Sequence, residues 1–520
     1  MAKSFFCDKS GPIVTTKAGR LRGFVVDGTY TFHGIRYAVA KRFHQPEPVP
    51  AWEGVKDALA YGYVCPLLEQ DEPSNEVMIP HRYWPMDENC QYLNIWTQSL
   101  DENAKKPVMV WLHGGGFFAG SSIEQVAYEG ENLSKYGDVV VVSLNHRLNI
   151  LGYLDLSPFG KEYENSANAG TSDIIAALQW IRDNIAAFGG DPENVTLFGQ
   201  SGGGMKIWTL MQTPAADGLF HKGIIQSGIM HHYMDCGDSD GTAIVKALMK
   251  DLHCKKVQEL ETIPYHALAE SYGKVAPGVA AKGHYVGCCP MANDFFLGEP
   301  LRVGFREHAK TIPVMIGTAL GEFSFMPALS EAQKQDKASI DAMMKKRYGE
   351  HAGEIAALFA VSYPDKDPSD ALFVDSVFRN PTMDFVERKS KCPESATYSY
   401  QFTYTFPYDG GHIAWHCSEI PFVFHNTSLV PVCNEPGVSD LLEQQMSDAW
   451  LNFARTGNPN CDSLPHWPAC TPGDEACMLF DRQCRVVHNH DHALIRLHAE
   501  ITPAFGSDSE DGEEEQKIQH

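Results

Sequence analysis

The sequence predicts an α/β chain built on one large, mostly parallel central sheet flanked by helices, with helical insertions in its second half. Three observations carry this. Short apolar runs at 107–112, 139–144 and 195–198 have the composition of strands buried on both faces. Between the second and third, Ile174, Ala177, Leu178, Ile181, Ile185 and Phe188 recur at helical spacing and give one apolar helix face. The first and third strands each run straight into a cluster of glycines.

Taken in order, residues 11–32 alternate β-type runs with glycine turns at Gly19, Gly23 and Gly28, the pattern of a small N-terminal meander. Gly34-Ile35-Arg36-Tyr37-Ala38 follows, then a proline-rich extended passage at 46–52. Cys65 and Cys90 bracket a polar loop that contains Trp84. The strand at 107–112 ends in His113-Gly114-Gly115-Gly116-Phe117, and the strand at 139–144 leads into Asn145-His146-Arg147-Leu148. Gly189-Gly190-Asp191-Pro192 stops the apolar helix, as a glycine C-cap followed by proline does, and the third strand is expected to begin at 195. A helix is expected over 205–211, which has no breaker. Further strands are expected at 222–226, 312–317 and 398–402, and helices near 238–251, 330–347 and 439–455. There is no internal repeat, and a single domain is expected over 1–506. Residues 507–520, with Ser507-Asp508-Ser509-Glu510-Asp511-Gly512-Glu513-Glu514-Glu515, are too polar to bury a face and are expected to be a disordered acidic tail.

Composition limits the classes open to such a chain. A hydrophobic content of 43% with 21% charged residues is ordinary for a soluble globular enzyme. The longest apolar runs are far too short to span a bilayer, so no membrane partner is expected. Residues 1–8 reach an acid before any apolar stretch, so no secretory signal is read and a cytoplasmic location is expected. A formal charge of −24 argues against nucleic acid, whose phosphates it would repel. The fourteen cysteines contain no CxxC pair and are expected to be thiols. His488, His490 and His492 would share one face of an extended strand, as metal ligands can, but an exposed polar strand end is the expected reading. No metal or other cofactor is expected, and the chain is expected to be a monomer or homodimer.

The chemistry concentrates in Gly199-Gln200-Ser201-Gly202-Gly203. A serine between a strand and a helix, with glycines two before and two after, fits a nucleophile elbow. Side chains at 199 and 203 would collide in so sharp a turn, and glycine removes the Cβ. Acyl transfer at a serine needs a base, an acid to orient the base, and donors for the oxyanion. His113-Gly114-Gly115-Gly116 follows a strand and offers unhindered N–H groups, so Gly115, Gly116 and Gly202 are the expected oxyanion donors. The base and the acid are left open by spacing alone.

With both glycine elements in place, the chain resembles the type-B carboxylesterase and cholinesterase family over about residues 11–500. The resemblance rests on Asn89-Cys90-Gln91-Tyr92-Leu93-Asn94-Ile95-Trp96, His113 to Phe117, Asn145 to Leu154, Asn168-Ala169-Gly170 through Thr196, the serine turn and Gln226-Ser227-Gly228. It implies an α/β-hydrolase fold, ester hydrolysis without a cofactor, and a small-molecule ester substrate. It points to Glu322, shortly after Val314-Met315-Ile316-Gly317, as the acid. It points to His416, which opens His416-Cys417-Ser418-Glu419-Ile420-Pro421-Phe422-Val423-Phe424, as the base, with His412 as a rival. Secreted members bridge the positions of Cys65 and Cys90; free thiols are favoured here. Three departures stand out. Gln200 replaces the usual glutamate, Gly202 the usual alanine, and the passage from Tyr37 to Phe43 is short. Gln200, Phe117, Trp84 and Phe323 are the expected substrate contacts, within an apolar gorge that also draws on Phe118, Trp208, Phe295, Phe296, Phe325 and Trp415. Neutral short- to medium-chain or aryl esters are the expected substrates. A lipase, or an inactive binding or adhesion protein of the same family, are the alternatives.

Overall fold

The computed structural model describes residues 3–68, 80–231, 233, 239–324 and 335–502, and among these one twelve-stranded sheet organises the chain. Its strands are β1 (Phe5–Phe6), β2 (Phe24–Val26), β3 (Thr29–Arg36), β4 (Tyr92–Thr97), β5 (Lys106–Leu112), β6 (Val140–Leu144), β7 (Gly190–Gln200), β8 (Lys222–Gln226), β9 (Val314–Ala319), β10 (Thr397–Phe402), β11 (Ala476–Phe480) and β12 (Arg485–His488). Their order is β1-β2-β3-β4-β6-β5-β7-β8-β9-β10-β11-β12. From β6 across to β11 every neighbouring pair is parallel, and the flanking pairs are antiparallel. Part of the N-terminal meander leaves this sheet: Ile13–Thr15, Arg20–Arg22 and Val55–Asp57 form a small one of their own. The acidic tail and Phe325 lie outside the described residues.

Side chains alternate across a strand, so a sheet buried on both faces favours near-continuous apolar runs in its strands. In β5, Val108, Val110 and Leu112 pack with Ile174, Leu178 and Ile181 of α1 (Ala169–Asn184) and with Ile207 and Leu210 of α2 (Gly202–Met211). Met109 and Trp111 face the other way, toward Leu442, Met446, Trp450 and Phe453 of α3 (Ser439–Thr456). Truncating one of these fully buried leucines to alanine would cost about 2–5 kcal/mol.

Two expectations are corrected. β7 starts at Gly190, not 195, because its pairing with β5 jumps from Gly190 opposite Lys106 to Val195 opposite Val108. The residues between bulge out, which is where a strand tolerates Pro192. The second concerns 488–492, which is not extended: β12 ends at His488, Asn489 turns with φ 47, and a helix begins at His492. His488 Nδ1 meets Asp474 at 2.7 Å, His492 Nε2 meets Glu475 at 2.6 Å, and His490 lies edge-on to Tyr363. The three imidazoles therefore share no face. Glu475, Asp491 and His492 do converge, but the Arg379 guanidinium already spans both carboxylates at 2.8 and 2.7 Å.

Candidate active site

Open parallel sheets build their sites beyond the carboxyl ends of the strands, and the expected residues fall there. Gln200 ends β7, Ser201 is the turn, and α2 starts at Gly202. Ser201 has φ 55 and ψ −125, a conformation that residues with a side chain rarely adopt. A methyl group at Gly203 would sit 1.9 Å from the Leu112 carbonyl oxygen, and one at Gly199 2.7 Å from the Gly203 carbonyl carbon. Only glycines allow this turn. The Ser201 N–H donates to the Gln226 carbonyl at 2.8 Å, tying the turn to β8.

The His113 to Phe117 run follows β5 and lies against the same turn. A methyl group at Gly114 would come 3.5 Å from Ser201 Cβ, and one at Gly202 would meet Gly116 N at 2.5 Å and Gly116 O at 2.2 Å. Gly115 and Gly116 turn the loop away with φ 79 and 57. Gly114 and Gly116 are thus packed against the serine turn, with Gly115 between them in the same loop. Lys206 of α2, buried beneath, donates from Nζ to the His113 carbonyl at 2.8 Å and braces the loop on the helix.

Glu322 follows β9 and His416 lies in the loop after β10. The ring Nδ1 meets Glu322 Oε2 at 2.6 Å, and the His416 backbone N–H donates to the Glu322 carbonyl at 2.8 Å. Glu322 is fully buried, and Oε1 accepts from the Ser227 hydroxyl at 2.6 Å and the Ala319 N–H at 2.7 Å. The carboxylate therefore needs no water. Burial would lower the His416 pKa, but the hydrogen bond and charge of Glu322, with Glu419 and Asp375 beyond, hold it above the ordinary histidine value. Burial, then the charge of Glu322, pushes Glu419 up to about 7, and the same causes push Asp375 up to about 7. The rival His412 instead turns Nδ1 to the Ile413 carbonyl, 2.9 Å away, and packs edge-on to Trp415.

The four expected substrate contacts separate. Phe323 stacks on His416 with ring centroids 6.3 Å apart and stays partly exposed. Phe117 is completely buried against Tyr153, a core residue rather than a wall. Trp84 packs edge-on to Tyr61, whose hydroxyl bonds Glu129, rather than to a ring of the histidine group. Gln200 is also fully buried: its amide nitrogen lies 3.2 Å from both ring nitrogens of His416 and its Oε1 3.0 Å from Cys417 Sγ. It touches the histidine, not an open pocket, because strand β7 carries it beneath the turn. Sequence reasoning missed Ser227, Asp375, Phe378 and Cys417. Two of them lie within motifs, Ser227 after an apolar strand in Gln226-Ser227-Gly228 and Cys417 next to His416, but neither residue type marks a role there. Phe378 stacks on His416 at 5.0 Å from a segment that carries no motif.

A mostly parallel sheet with a serine turn, a buried glutamate and a histidine at strand ends is the architecture of the α/β-hydrolases. The carboxylesterase family model matches residues 10–494, and the chain belongs to this family, the type-B carboxylesterases. It is a carboxylic ester hydrolase. Among its relatives, the para-nitrobenzyl esterase of Bacillus subtilis (strain 168) is 32% identical over 91% of this chain and 96% of its own. The phenmedipham hydrolase of Pseudarthrobacter oxydans is 33% identical over 93% of this chain and 99% of its own. A solved esterase from anaerobic Clostridium hathewayi, which can hydrolyze aliphatic aromatic polyesters, is 53% identical with a TM-score of 0.93, covering 96% of this chain and 100% of its own.

Proposed function

We propose that Ser201, His416 and Glu322 form a catalytic triad working through an acyl-enzyme. The contact of 2.6 Å between Glu322 Oε2 and His416 Nδ1 carries the reading, with Gln200, the residue before a serine held at φ 55, against the same ring. With its Nδ1 proton directed at the carboxylate, the imidazole presents an unprotonated Nε2 to take the Ser201 hydroxyl proton. Serine Oγ attacks the ester carbonyl, and the Gly115, Gly116 and Gly202 amides receive the oxyanion. The imidazolium returns its proton to the leaving alcohol. Water then enters and bonds the acyl carbon while giving a proton to the same nitrogen, and the imidazolium returns that proton to Ser201 Oγ as the acid leaves. Glu322, bonded also to Ser227 and Ala319, fixes the tautomer and stabilises the cation.

The substrates proposed are neutral short- to medium-chain or aryl esters. The apolar Phe323 and Phe378 rings beside the base support an uncharged group there, as does the 53% identical relative that cleaves aliphatic aromatic polyesters. Ser201→Ala is expected to fold normally and to lose turnover of para-nitrophenyl esters by on the order of 10⁴-fold or more. A serine-reactive organophosphonate is expected to add one adduct to the wild type and none to the variant. Equal labelling of both proteins would remove Ser201 from the mechanism. A panel of acyl chain lengths, with an aromatic polyester film beside it, resolves the substrate class.

A further inference from the structure

Two side chains meet at the base that ester hydrolysis does not itself require. The Cys417 thiol lies 3.0 Å from Gln200 Oε1, and the Gln200 amide nitrogen lies 3.2 Å from both His416 Nδ1 and Nε2. A point that close to both ring nitrogens cannot lie in the ring plane, because it would overlap the carbon between them. The amide nitrogen therefore sits over the imidazole face. Cys417 occupies a backbone with φ 73, which glycine adopts freely and a residue with a Cβ does not. Its side chain meets Gln200 from that strained position.

An amide has two ends, and which end faces the ring matters. An oxygen over the face favours a positively charged imidazolium, whereas an N–H dipole over it opposes that charge. The thiol is a donor, so it pairs with Oε1 and leaves the NH₂ end for the ring. We propose that Gln200 and Cys417 are a positioning pair for His416, in which the thiol fixes the amide orientation and so keeps the base less basic than a carbonyl or carboxylate there would make it. This rests on reading His416 as the general base. The charged and titratable groups facing the ring are Glu322 after β9 and Asp375 from the segment leading to Phe378, and on the histidine's own loop Glu419. Glu419, Glu322 and Glu124 face the thiol. All of them push the base upward or leave the thiol protonated, and the amide acts against the first effect.

The test is the pH dependence of kcat/KM on a neutral aryl ester. Gln200→Glu is expected to raise the acid-limb pKa by about one unit or more, a tenfold gain in proton affinity. Cys417→Gly removes the donor without opposing the backbone, frees the amide to turn, and is expected to raise the limb by about half a unit, roughly threefold. Cys417→Ser restores a donor and is expected to return the limb to the wild-type value. Glu322, Asp375 and Glu419 are common to every variant, so their own titration cancels in the comparison. A Cys417→Gly limb superimposed on that of the wild type overturns the pair, even if Gln200→Glu fails to fold. A Cys417→Ser limb that follows the glycine variant overturns it too, as a purely steric role for the side chain would produce. His416→Ala is measured alongside. Retained turnover there would instead overturn the reading of the base and leave the geometry of the pair unexplained by catalysis.

Discussion

The Glu322 carboxylate gives one oxygen to His416 Nδ1 and the other to the Ser227 hydroxyl and the Ala319 amide. Glutamine in its place keeps the shape and one carbonyl oxygen, but not the charge. Its NH₂ must then face either the histidine or two donors, and neither choice satisfies the group. With the NH₂ toward the ring, Nδ1 has to accept, and the Nε2 proton then lies on the atom that should receive one. Glu322→Gln is therefore expected to lower kcat by several orders of magnitude with a smaller effect on KM. Near-normal kcat would mean that another carboxylate orients the base, and Asp375 and Glu419 are the groups to examine. The paired variants His416→Ala and His412→Ala separate the two histidines: the first is expected to abolish turnover. His412, bonded to a carbonyl of its own loop, is expected to affect stability more than rate. A greater rate loss in the His412 variant would reverse the assignment.

At the scale of elements, the serine turn and the glycine loop are fitted to each other without space for a methyl group. Alanine at 202 would place its Cβ 2.2 Å from the Gly116 oxygen and 2.5 Å from its nitrogen, and both are backbone atoms that cannot swing aside. Gly202→Ala is expected to push the loop off the turn and weaken two oxyanion donors at once. The expected loss is about 100- to 1000-fold in kcat, the range for removing one such donor, with a melting temperature lowered by only a few degrees. An unchanged kcat would show that the loop follows the methyl group at no cost to the donors. Both glycine clusters were legible in the sequence because each chemical demand falls on consecutive residues. The strands β5, β6 and β8 were legible because burial on both faces keeps their centres apolar, at Val108 to Leu112, Val140 to Val142 and Ile224-Ile225, with polar residues confined to or near their ends. Glu322 and His416 were not derivable from spacing, since they sit on loops after β9 and β10 and meet only through the strand order; resemblance to a family pointed to them. The contact of Gln200 with the base was illegible for a different reason. Gln200 is the last residue of β7, fully buried beneath the turn, and it meets the ring only because the loop after β10 folds over that strand end. The bulge at Asp191 to Asn194 leaves no signal in the sequence, because proline ordinarily marks a strand boundary and a bulge is the exception.

Over the whole molecule, ionisable groups held in the interior make the stability of the fold depend on pH. Arg379 pairs with Glu475 and Asp491, all three buried. Burial would raise the Glu475 pKa, but Arg379 and His492 bring it down to about 2 from 4.5. Its contribution is complete above about 4.5 and is lost as pH falls toward about 2, so this network fails in acid. Lys206 acts in the opposite part of the scale. It is 1% exposed, it bonds the His113 carbonyl, and burial lowers its pKa from 10.5 to about 7. In the unfolded chain the ammonium holds its proton up to 10.5, so between about 7 and 10.5 the unfolded state binds more protons than the folded one. Stability from this group therefore rises with pH across that window, and below about 7 the full cost of burying the charge is present. Lys206→Met removes the charge at similar length. It loses the bond to His113 equally at every pH, but escapes the burial cost only where that cost exists. The variant is expected to gain stability relative to wild type at pH 6, on the order of a few kcal/mol less the lost hydrogen bond. That advantage should shrink steadily toward pH 10.5. Denaturant midpoints of the two proteins, taken at one-unit steps, measure the difference directly, and the repulsion among the chain's excess acidic groups cancels between them. An offset that stays constant across the window would mean that the lysine is accommodated as a charge without strain, and that its contribution to stability is the hydrogen bond alone.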